Sequence, residues 1–494
     1  MQSTIDDAKL NSKFYFNTLF VLMFLFFCRV IAICYVPLND YSEARYGEIA
    51  RKMLETGNWV TPLHTYTIPF WAKPPLSTWL SAFSMKLFGV NEFAVRLPGL
   101  VLSIGVLYLV WSLARKHSGE VAARMTVIVL AATLYFFLDA GTVMTDPSLI
   151  FCTTLSMVAF WRAVVDGEKL WSYLFFVGLG LGMLAKGPIA VVLVGLPVFF
   201  WVLIRNEWLN LWNKLPWIKG TLLATAIALP WYVLAEMRTP GFINYFIIGE
   251  HFNRFLHPAW SGDRYGHAHD EPWGMIWLYA GAGIFPWSIP GLFWLGRYFK
   301  KIPAMYRDTD GWMCYLLCFL LAPLLFFTFA SNIIYTYTFP TLAAFALFFT
   351  ECWRRTEKPL SELRWLFPLA VFTGFAFLVV TMFFVYKPEM VAKTQKPIAR
   401  EWLKMHPTPG SQLVYWDGSV PYSGQFFAAG KVVSTRDVAT LCQELSKSED
   451  NYIVIDPEDI KQLPDNLLAK MQPVYKHIYK DQTKVLMRLA EVTC

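Results

Sequence analysis

Residues Asp40–Trp79 read DYSEARYGEIARKMLETGNWVTPLHTYTIPFWAKPPLSTW. Carboxylates, arginines, aromatics and a Lys73-Pro74-Pro75 turn are packed here between apolar segments of membrane length. Hydrocarbon cannot solvate such a stretch, so it must be a loop outside the bilayer with membrane-bound flanks.

The composition extends that reading to the whole chain. Of 494 residues, 56% are hydrophobic, 17% aromatic and only 16% charged, which excludes an ordinary soluble domain. A helix needs roughly 17–25 apolar residues to cross a bilayer core. Eleven candidates occur, at about 14–36, 97–113, 122–138, 147–164, 170–184, 188–204, 217–235, 273–296, 311–330, 336–351 and 365–386. The runs lack the period-2 alternation of a barrel strand, so the expected fold is a polytopic α-helical membrane protein of about 11–13 transmembrane helices. The first segment is too long for a signal-peptide core and lacks a small-x-small cleavage site, so it reads as a retained anchor.

The net charge of +7 requires no nucleic-acid partner, because its distribution has a membrane explanation. Alternate loops carry Arg115, Lys116 and Arg124, then Arg205, Lys214 and Lys219, then Arg297, Lys300, Lys301 and Arg307, then Arg354, Arg355, Lys358 and Arg364. The short loops near 139–146 and 331–335 carry none. The positive-inside rule then places the N-terminus in the cytoplasm, and both Asp40–Trp79 and everything after 387 on the outer face. A transmembrane domain is expected over 1–386, with outer loops at 37–96 and 236–272, and a periplasmic domain over 387–494. Six cysteines lie in or beside spans without metal-type spacing. Cys442 and Cys494 share the outward tail, where an oxidising compartment permits a disulfide.

Within the first loop, Asp40-x-x-Glu43 has the spacing of a capping box and opens a helical pattern with Tyr46, Ile49, Met53 and Leu54 on one face. A helix on the membrane surface is expected, followed by a second amphipathic segment over Leu76–Phe88. After Tyr386 the chain becomes soluble in character. Helical patterns at about 391–405, 437–446 and 457–470 alternate with strand-like runs at 412–416, 431–435, 452–456, 474–479 and 485–489. This reads as a small α/β domain without a phosphate loop or catalytic-triad spacing, suited to recognition or stabilisation.

On this topology Glu43, Arg45, Lys73, Asp139, Asp146, Lys186, Glu250, His251, Arg254 and Tyr337 come from separate loops to one depth, the outer membrane–water boundary. Ionisable groups gathered near a bilayer define a site by default. Carboxylates can serve as bases or bind an amine or hydroxyl, while Lys and Arg hold phosphate. The mixture suits a lipid phosphate as leaving group, and the chemistry of the residues goes no further. Glu250 and Arg254, at i and i+4, can form an ion pair. His267-x-His269-Asp270 offers ligand types for a divalent metal as an alternative; no other cofactor is implied.

The run SEARYGEIARKMLETGNW, then KPPLSTWLSAFSMKLFG, TDP at 145–147, LAKGP at 184–188, PWYVL at 230–234, EHFNRF at 250–255 and YTFP at 337–340 resembles the membrane glycosyltransferases related to protein O-mannosyltransferases. Among these it is most similar to the bacterial aminoarabinose transferases that modify lipid A. The resemblance covers roughly residues 40–340. It implies a GT-C fold, an undecaprenyl-phosphate sugar donor, inversion at the anomeric carbon and a periplasmic site under the first loop. It also implies Glu43 and Asp146 as catalytic carboxylates, Lys73, Arg45, Arg254 and Lys186 on the donor phosphate, and Asp40, Glu250, His251 and Tyr337 nearby. The acceptor would be lipid A, a glycan or a protein.

Three positions depart from the family pattern. Ser42 replaces the first member of an Asp-Glu pair, Ala72 replaces an acid before the loop lysine, and Ser331–Ile334 lacks a lysine ahead of Tyr-x-x-Pro. The alternative class is a lipid or polysaccharide transporter, which would place charges at the midplane and broken helices in paired halves.

Overall fold

The computed structural model describes residues 2–40, 42–258, 260–266, 271–298, 300, 310–408, 410–447, 450–480 and 482–489, with side chains of the first helix from residue 12. The chain opens with α1 (Gln2–Tyr35) and passes through α2 (Ser42–Thr56) and α3 (Leu76–Phe88). It then runs through α4 (Glu92–Ser118), α5 (Glu120–Ala131), α6 (Leu134–Asp139), α7 (Asp146–Val164), α8 (Lys169–Lys186), α9 (Ile189–Arg205), α10 (Trp208–Lys214) and α11 (Trp217–Arg238). A π-helical segment, Asn244–Asn253, continues into α12 (Arg254–Leu256), followed by α13 (Met275–Gly283) and α14 (Ser288–Tyr298). The membrane part closes with α15 (Trp312–Thr328), a 3₁₀ segment Tyr335–Thr341, α16 (Leu342–Arg354) and α17 (Leu366–Tyr386).

Each of the eleven expected segments is therefore helical, but not every one is a plain span. By length and composition, five stretches among the described residues can cross a bilayer unaided: Ser12–Tyr35, Glu92–Ser118, Asp146–Val164, Trp217–Arg238 and Leu360–Tyr386. The pair α13 and α14, bent by 104°, makes a sixth if counted as one span. Two breaks compensate each other. Leu134, at the α5–α6 interruption, donates its backbone N–H to Phe285 O at 2.8 Å, and Trp287 Nε1 donates to Val129 O at 2.7 Å. Irregular backbone at membrane depth is tolerated where protein supplies the missing partners.

By contact the chain divides into two compact units, Met1–Ile31 with Asn58–Leu80 and Arg96–Phe377, and Ala32–Gly57 with Ser81–Val95 and Leu378–Cys494. In the first, α7 is the buried centre. Glycines on α8 let it approach closely: a Cβ at Gly178 would lie 2.3 Å from Ser156 Oγ and 2.9 Å from Cys152 O. Small residues at such crossings replace the hydrophobic drive that lipid removes.

The second unit holds the soluble module. Its helices are α18 (Pro388–Val391), α19 (Lys396–Lys404), α20 (Tyr422–Phe427), α21 (Val438–Leu445) and α22 (Asp465–Leu468). Its strands are β1 (Leu413–Trp416), β2 (Val432–Thr435), β3 (Asn451–Ile455), β4 (Met471–Tyr479) and β5 (Gln482–Leu489), ordered β2-β1-β3-β5-β4. β1 is parallel to β2 and β3, while β5 is antiparallel to β3 and β4. Strand alternation sends Leu413 and Tyr415 to one face, packed on Trp402 of α19, and Val414 and Trp416 to the other, packed on Leu441 and Leu445 of α21. The single helix expected over 457–470 is instead a 3₁₀ turn, Ile460–Gln462, and α22, because Pro464 interrupts it. Cys442 is disulfide-bonded; Cys494 lies outside the described residues.

Two expectations about the opening loop are corrected. The helix α2 does not offer one apolar face to lipid headgroups: Ala44, Tyr46, Ile49 and Met53 are buried, and so are Glu48, Arg51 and Lys52. The buried charges satisfy each other and the soluble module. Arg51 Nε donates to Glu48 at 2.7 Å, and Lys52 Nζ donates to Gln425 Oε1 at 3.0 Å. A Cβ on Gly47 would lie 3.1 Å from Leu38 and 3.6 Å from Phe426, so this crossing with α20 is close. Nor does Asp40 cap α2 as a box with Glu43. Its carboxylate accepts from Ser423 N at 2.9 Å and from Ser423 Oγ, and Ala44 N donates to Asn39 O at 3.1 Å instead.

Candidate active site

The first unit draws charged side chains from five separate segments into one buried network. Its centre is Glu250, whose side chain is 2% exposed. Lys73 Nζ reaches Glu250 Oε2 at 3.0 Å and Arg254 Nη1 reaches the same oxygen at 3.2 Å, while Tyr245 Oη donates to Oε1 at 3.1 Å. Arg254 also pairs with Asp263 at 3.4 Å. Burial alone would push the Glu250 carboxyl up, but Lys73 and Arg254 outweigh it and hold it below the usual carboxylate range. Burial pushes the Tyr245 hydroxyl up, and Glu250 adds to that, so Tyr245 remains a donor.

The local backbone explains this convergence. The π-helical segment, with i→i+5 hydrogen bonds, winds more residues into each turn than an α-helix, and such segments recur at functional sites. It places Tyr245 and Glu250, five residues apart, on one face. The loop carrying Lys73 is pinned nearby. Trp71 N donates to Tyr265 Oη at 3.2 Å, Tyr265 Oη donates to Pro69 O at 2.8 Å, and the Arg264 guanidinium lies 5.0 Å from the rings of both Trp71 and Tyr245. Lys73 Nζ also donates to Ala72 O at 2.7 Å, so Ala72 contributes a carbonyl where the resemblance expects an acid.

His251 links this group to the next. One ring nitrogen lies 2.8 Å from Phe246 O and the other 3.3 Å from Lys186 O. Burial pushes its pKa down, which favours the neutral ring. The turn after Lys186 needs glycine: Gly187 has φ of 85°, and a Cβ there would lie 2.6 Å from Phe246 and 3.0 Å from His251 Nε2. Lys186 Nζ then pairs with Asp146 Oδ1 at 2.7 Å and sits 5.5 Å from the centre of the Tyr337 ring. Asp146 is the first residue of α7, where the helix N-terminus favours a carboxylate. Asp139, at the end of α6, is also buried. Its Oδ1 accepts from Thr142 Oγ1 at 3.1 Å, and its Oδ2 meets no hydrogen-bond donor among the described residues.

Of the residues singled out in the sequence, Lys73, Glu250, Arg254, His251, Lys186, Asp146 and Tyr337 are thus brought together. Glu43, Arg45 and Asp40 belong to the other compact unit, where Asp40 is committed to Ser423. His267, His269 and Asp270 lie outside the described residues, and among the described residues no group of three or more His, Cys, Asp or Glu could hold a metal ion. Tyr245, Asp263 and Asn332 join the site without having been selected from the sequence. Asn332 Nδ2 donates to Arg254 O and, at 2.9 Å, to His257 O, so this position fastens the loop backbone where the resemblance expects a lysine. Only the polar run around Asp263 and the break before Tyr-x-x-Pro could have signalled them.

An acidic centre flanked by two cations can exchange that carboxylate for a phosphate, and carboxylates beside it can position a hydroxyl or an amine. Residues 16–246 match the family described as dolichyl-phosphate-mannose-protein mannosyltransferase. The chain is 30% identical over 411 residues to the undecaprenyl phosphate-alpha-4-amino-4-deoxy-L-arabinose arabinosyl transferase of Photorhabdus laumondii subsp. laumondii, covering 78% of this chain and 68% of that protein. A Pseudomonas fluorescens arabinosyl transferase of the same description is 31% identical over 329 residues, 63% of this chain and just 56% of its own length. The fold matches crystal structures of ArnT from Cupriavidus metallidurans, bound to undecaprenyl phosphate (TM-score 0.76, 18% identity, 95% of this chain and 98% of that one) and in the apo state (TM-score 0.73). The chain is thus a multi-pass membrane protein of the GT-C glycosyltransferase superfamily, and it belongs to the family of the undecaprenyl-phosphate aminoarabinose arabinosyl transferases.

Proposed function

We propose that this glycosyltransferase moves a sugar from a polyprenyl-phosphate donor, undecaprenyl phosphate being the lipid in the relatives' names, to a lipid A, glycan or protein acceptor at the outer face of the inner membrane. One observation carries the reading: Lys73 and Arg254, from separate segments, converge on a single oxygen of Glu250. Two cations that share one carboxylate oxygen can share one phosphate oxygen. The anomeric carbon–oxygen bond of the donor breaks and the phosphate leaves with an added negative charge, which Lys73 and Arg254 stabilise, with Lys186 as a further cation. The acceptor oxygen attacks from the opposite side, which inverts the anomeric carbon. Asp146 takes the proton of an acceptor hydroxyl; an acceptor phosphate, already ionised, needs positioning only. His251, Glu250 and Tyr337 would shape the surroundings. The charge asymmetry of the loops supports a cytoplasmic N-terminus and a periplasmic C-terminal module.

Membership of a transferase family sets the transporter alternative aside. The resemblance links a divalent metal to an acid at the position of Ala72, and the described residues do not assemble such a site. Replacing Lys73 with Ala is expected to abolish sugar transfer, read by mass spectrometry of lipid extracts, while the protein still inserts and folds. Wild-type transfer by that variant would overturn the assignment.

A further inference from the structure

His251 stands where the Glu250 group meets the Lys186 group, and its ring faces a carbonyl oxygen on each side. Nδ1 lies 2.8 Å from Phe246 O and Nε2 lies 3.3 Å from Lys186 O. Carbonyl oxygens only accept, and a neutral imidazole carries a single N–H. The shorter contact takes that proton, so in the neutral ring the Nε2 lone pair is turned against the Lys186 oxygen. Only an imidazolium satisfies both sides. The ring is held in this arrangement by packing: it meets the Phe246 ring edge to face, with centroids 4.7 Å apart, and a Cβ on Gly187 would lie 3.0 Å from Nε2.

The charges around the ring decide when it gains the second proton. Burial disfavours the imidazolium, and so does the charge of Lys73, while Glu250 favours it. On the same segment Arg254 is already paired with Glu250 and Asp263, and beyond the Lys186 carbonyl the Lys186 ammonium is paired with Asp146. A phosphate held by Lys73 and Arg254 shifts this balance at one point, because its negative charge offsets that of Lys73. We propose that His251 takes up a proton from solvent as phosphate binds, and that the imidazolium, donating to Phe246 O and Lys186 O together, fastens the Lys186–Gly187 turn to the π-helical segment. His251 is then a positioning residue: it ties phosphate binding at Lys73 and Arg254 to the placing of Lys186 and its partner Asp146, the base of the proposed reaction. The inference rests on the phosphate-site reading above and adds to it a proton linked to donor binding.

The test is calorimetric titration of the full-length protein in nanodiscs with a prenyl methyl phosphodiester, whose single negative charge is constant over about pH 5.5–8, the range in which histidine titrates. Titrations in two buffers of different ionisation enthalpy count the protons taken up with the ligand. The wild type is expected to take up a fraction of one proton, and its affinity should rise as pH falls, by at most about tenfold per pH unit because one proton is linked. The sign follows from the ring: with phosphate bound its pKa is higher than without, so the gain in affinity is present at low pH and lost as pH rises through the bound-state pKa. In His251→Gln the amide N–H reaches toward Lys186 O as Nε2 does but does not titrate. That variant should bind without proton uptake and with a flat pH profile, and should keep more sugar transfer than His251→Asn, which retains the Phe246 contact alone. Thermal unfolding shows that both variants are folded. Binding to the wild type without proton uptake, uptake undiminished in either folded variant, or transfer no better in His251→Gln than in His251→Asn would overturn the inference and leave the phosphate reading intact. No binding of the phosphodiester at all would sink that reading, and the inference with it.

Discussion

Glu250 occupies the place that a donor phosphate is proposed to take, so replacing it with Gln separates competition from support. The wild-type carboxylate neutralises Lys73 and Arg254, whose side chains are 21% and 19% exposed. Removing one partner of a fully buried pair costs about 3–5 kcal/mol. Here the residual exposure of both cations and the amide oxygen retained by Gln reduce the expected loss of stability to about 2 kcal/mol. Affinity should move the other way. A phosphate entering the wild-type site must displace a charge-assisted partner, and removing that competitor is worth about 1.5–3 kcal/mol, a gain of roughly 10- to 150-fold in binding of polyprenyl phosphate. Release of the phosphate product slows correspondingly, so kcat falls. Acidification supplies a second readout. Because the folded-state pKa of Glu250 lies below its unfolded value, its stabilisation is present above about pH 4.3 and is lost as pH falls through the folded pKa. Glu250→Gln should lack that acid-side loss. Calorimetric titration with polyprenyl phosphate and thermal unfolding against pH measure both effects. Weaker phosphate binding in Glu250→Gln would refute the reasoning, because it would mean that Glu250 orients the two cations and does not compete with the ligand.

Substitutions at two further positions probe the framework. Gly187→Ala forces a Cβ into Phe246 and His251 at a positive φ, and should cost about 2–4 kcal/mol in thermal unfolding while lowering transfer through displacement of Lys186; unchanged stability would refute the crowding argument. Asp40→Ala leaves Ser423 N buried without its acceptor and should cost about 1–3 kcal/mol, whereas Asp40→Asn keeps an acceptor oxygen. Burial pushes the Asp40 carboxyl up against the opposing Ser423 hydrogen bonds, so in the wild type stability falls as pH rises from about 3.9 through the folded pKa. The Asn variant should not show that fall, and a pH profile identical to wild type would refute the assignment.

What the sequence could and could not disclose follows from the range of the interactions involved. Spans and strands are local: runs of apolar residues and period-2 alternation located each expected membrane segment and all five strands. The ion pair of Glu250 with Arg254 was equally legible, because four residues of helix bring the two together. The third member, Lys73, lies 177 residues from Glu250, and no periodicity relates them; the topology put Lys73 at the same depth, but only the fold shows that the two meet. The reading of α2 failed for the same reason. One apolar stripe on an isolated helix predicts a lipid surface, but Glu48, Arg51 and Lys52 could be buried because they pair with one another and Gln425, from the far end of the chain, accepts a hydrogen bond from Lys52 that water would otherwise accept. The π-helical pitch at Asn244–Asn253 left no mark in composition, and with it Tyr245 was missed.

Two of the three departures from the family pattern can now be weighed by what stands in their place. Asn332 fastens the backbone of Arg254 and His257, so the loss of a lysine there is offset by a firmer hold on the phosphate-side arginine. Ala72 contributes a carbonyl to Lys73, which keeps the cation aimed at Glu250 without adding a negative charge. Neither change removes Lys73 or Arg254, the cations proposed to meet phosphate. Both put an uncharged side chain where the resemblance expects a charged one. Under the proposed reaction such a site keeps its demand for a phosphate leaving group, cleavage of the anomeric C–O bond being common to all such donors, while its contacts to the sugar ring are free to differ from those of the aminoarabinose transferases.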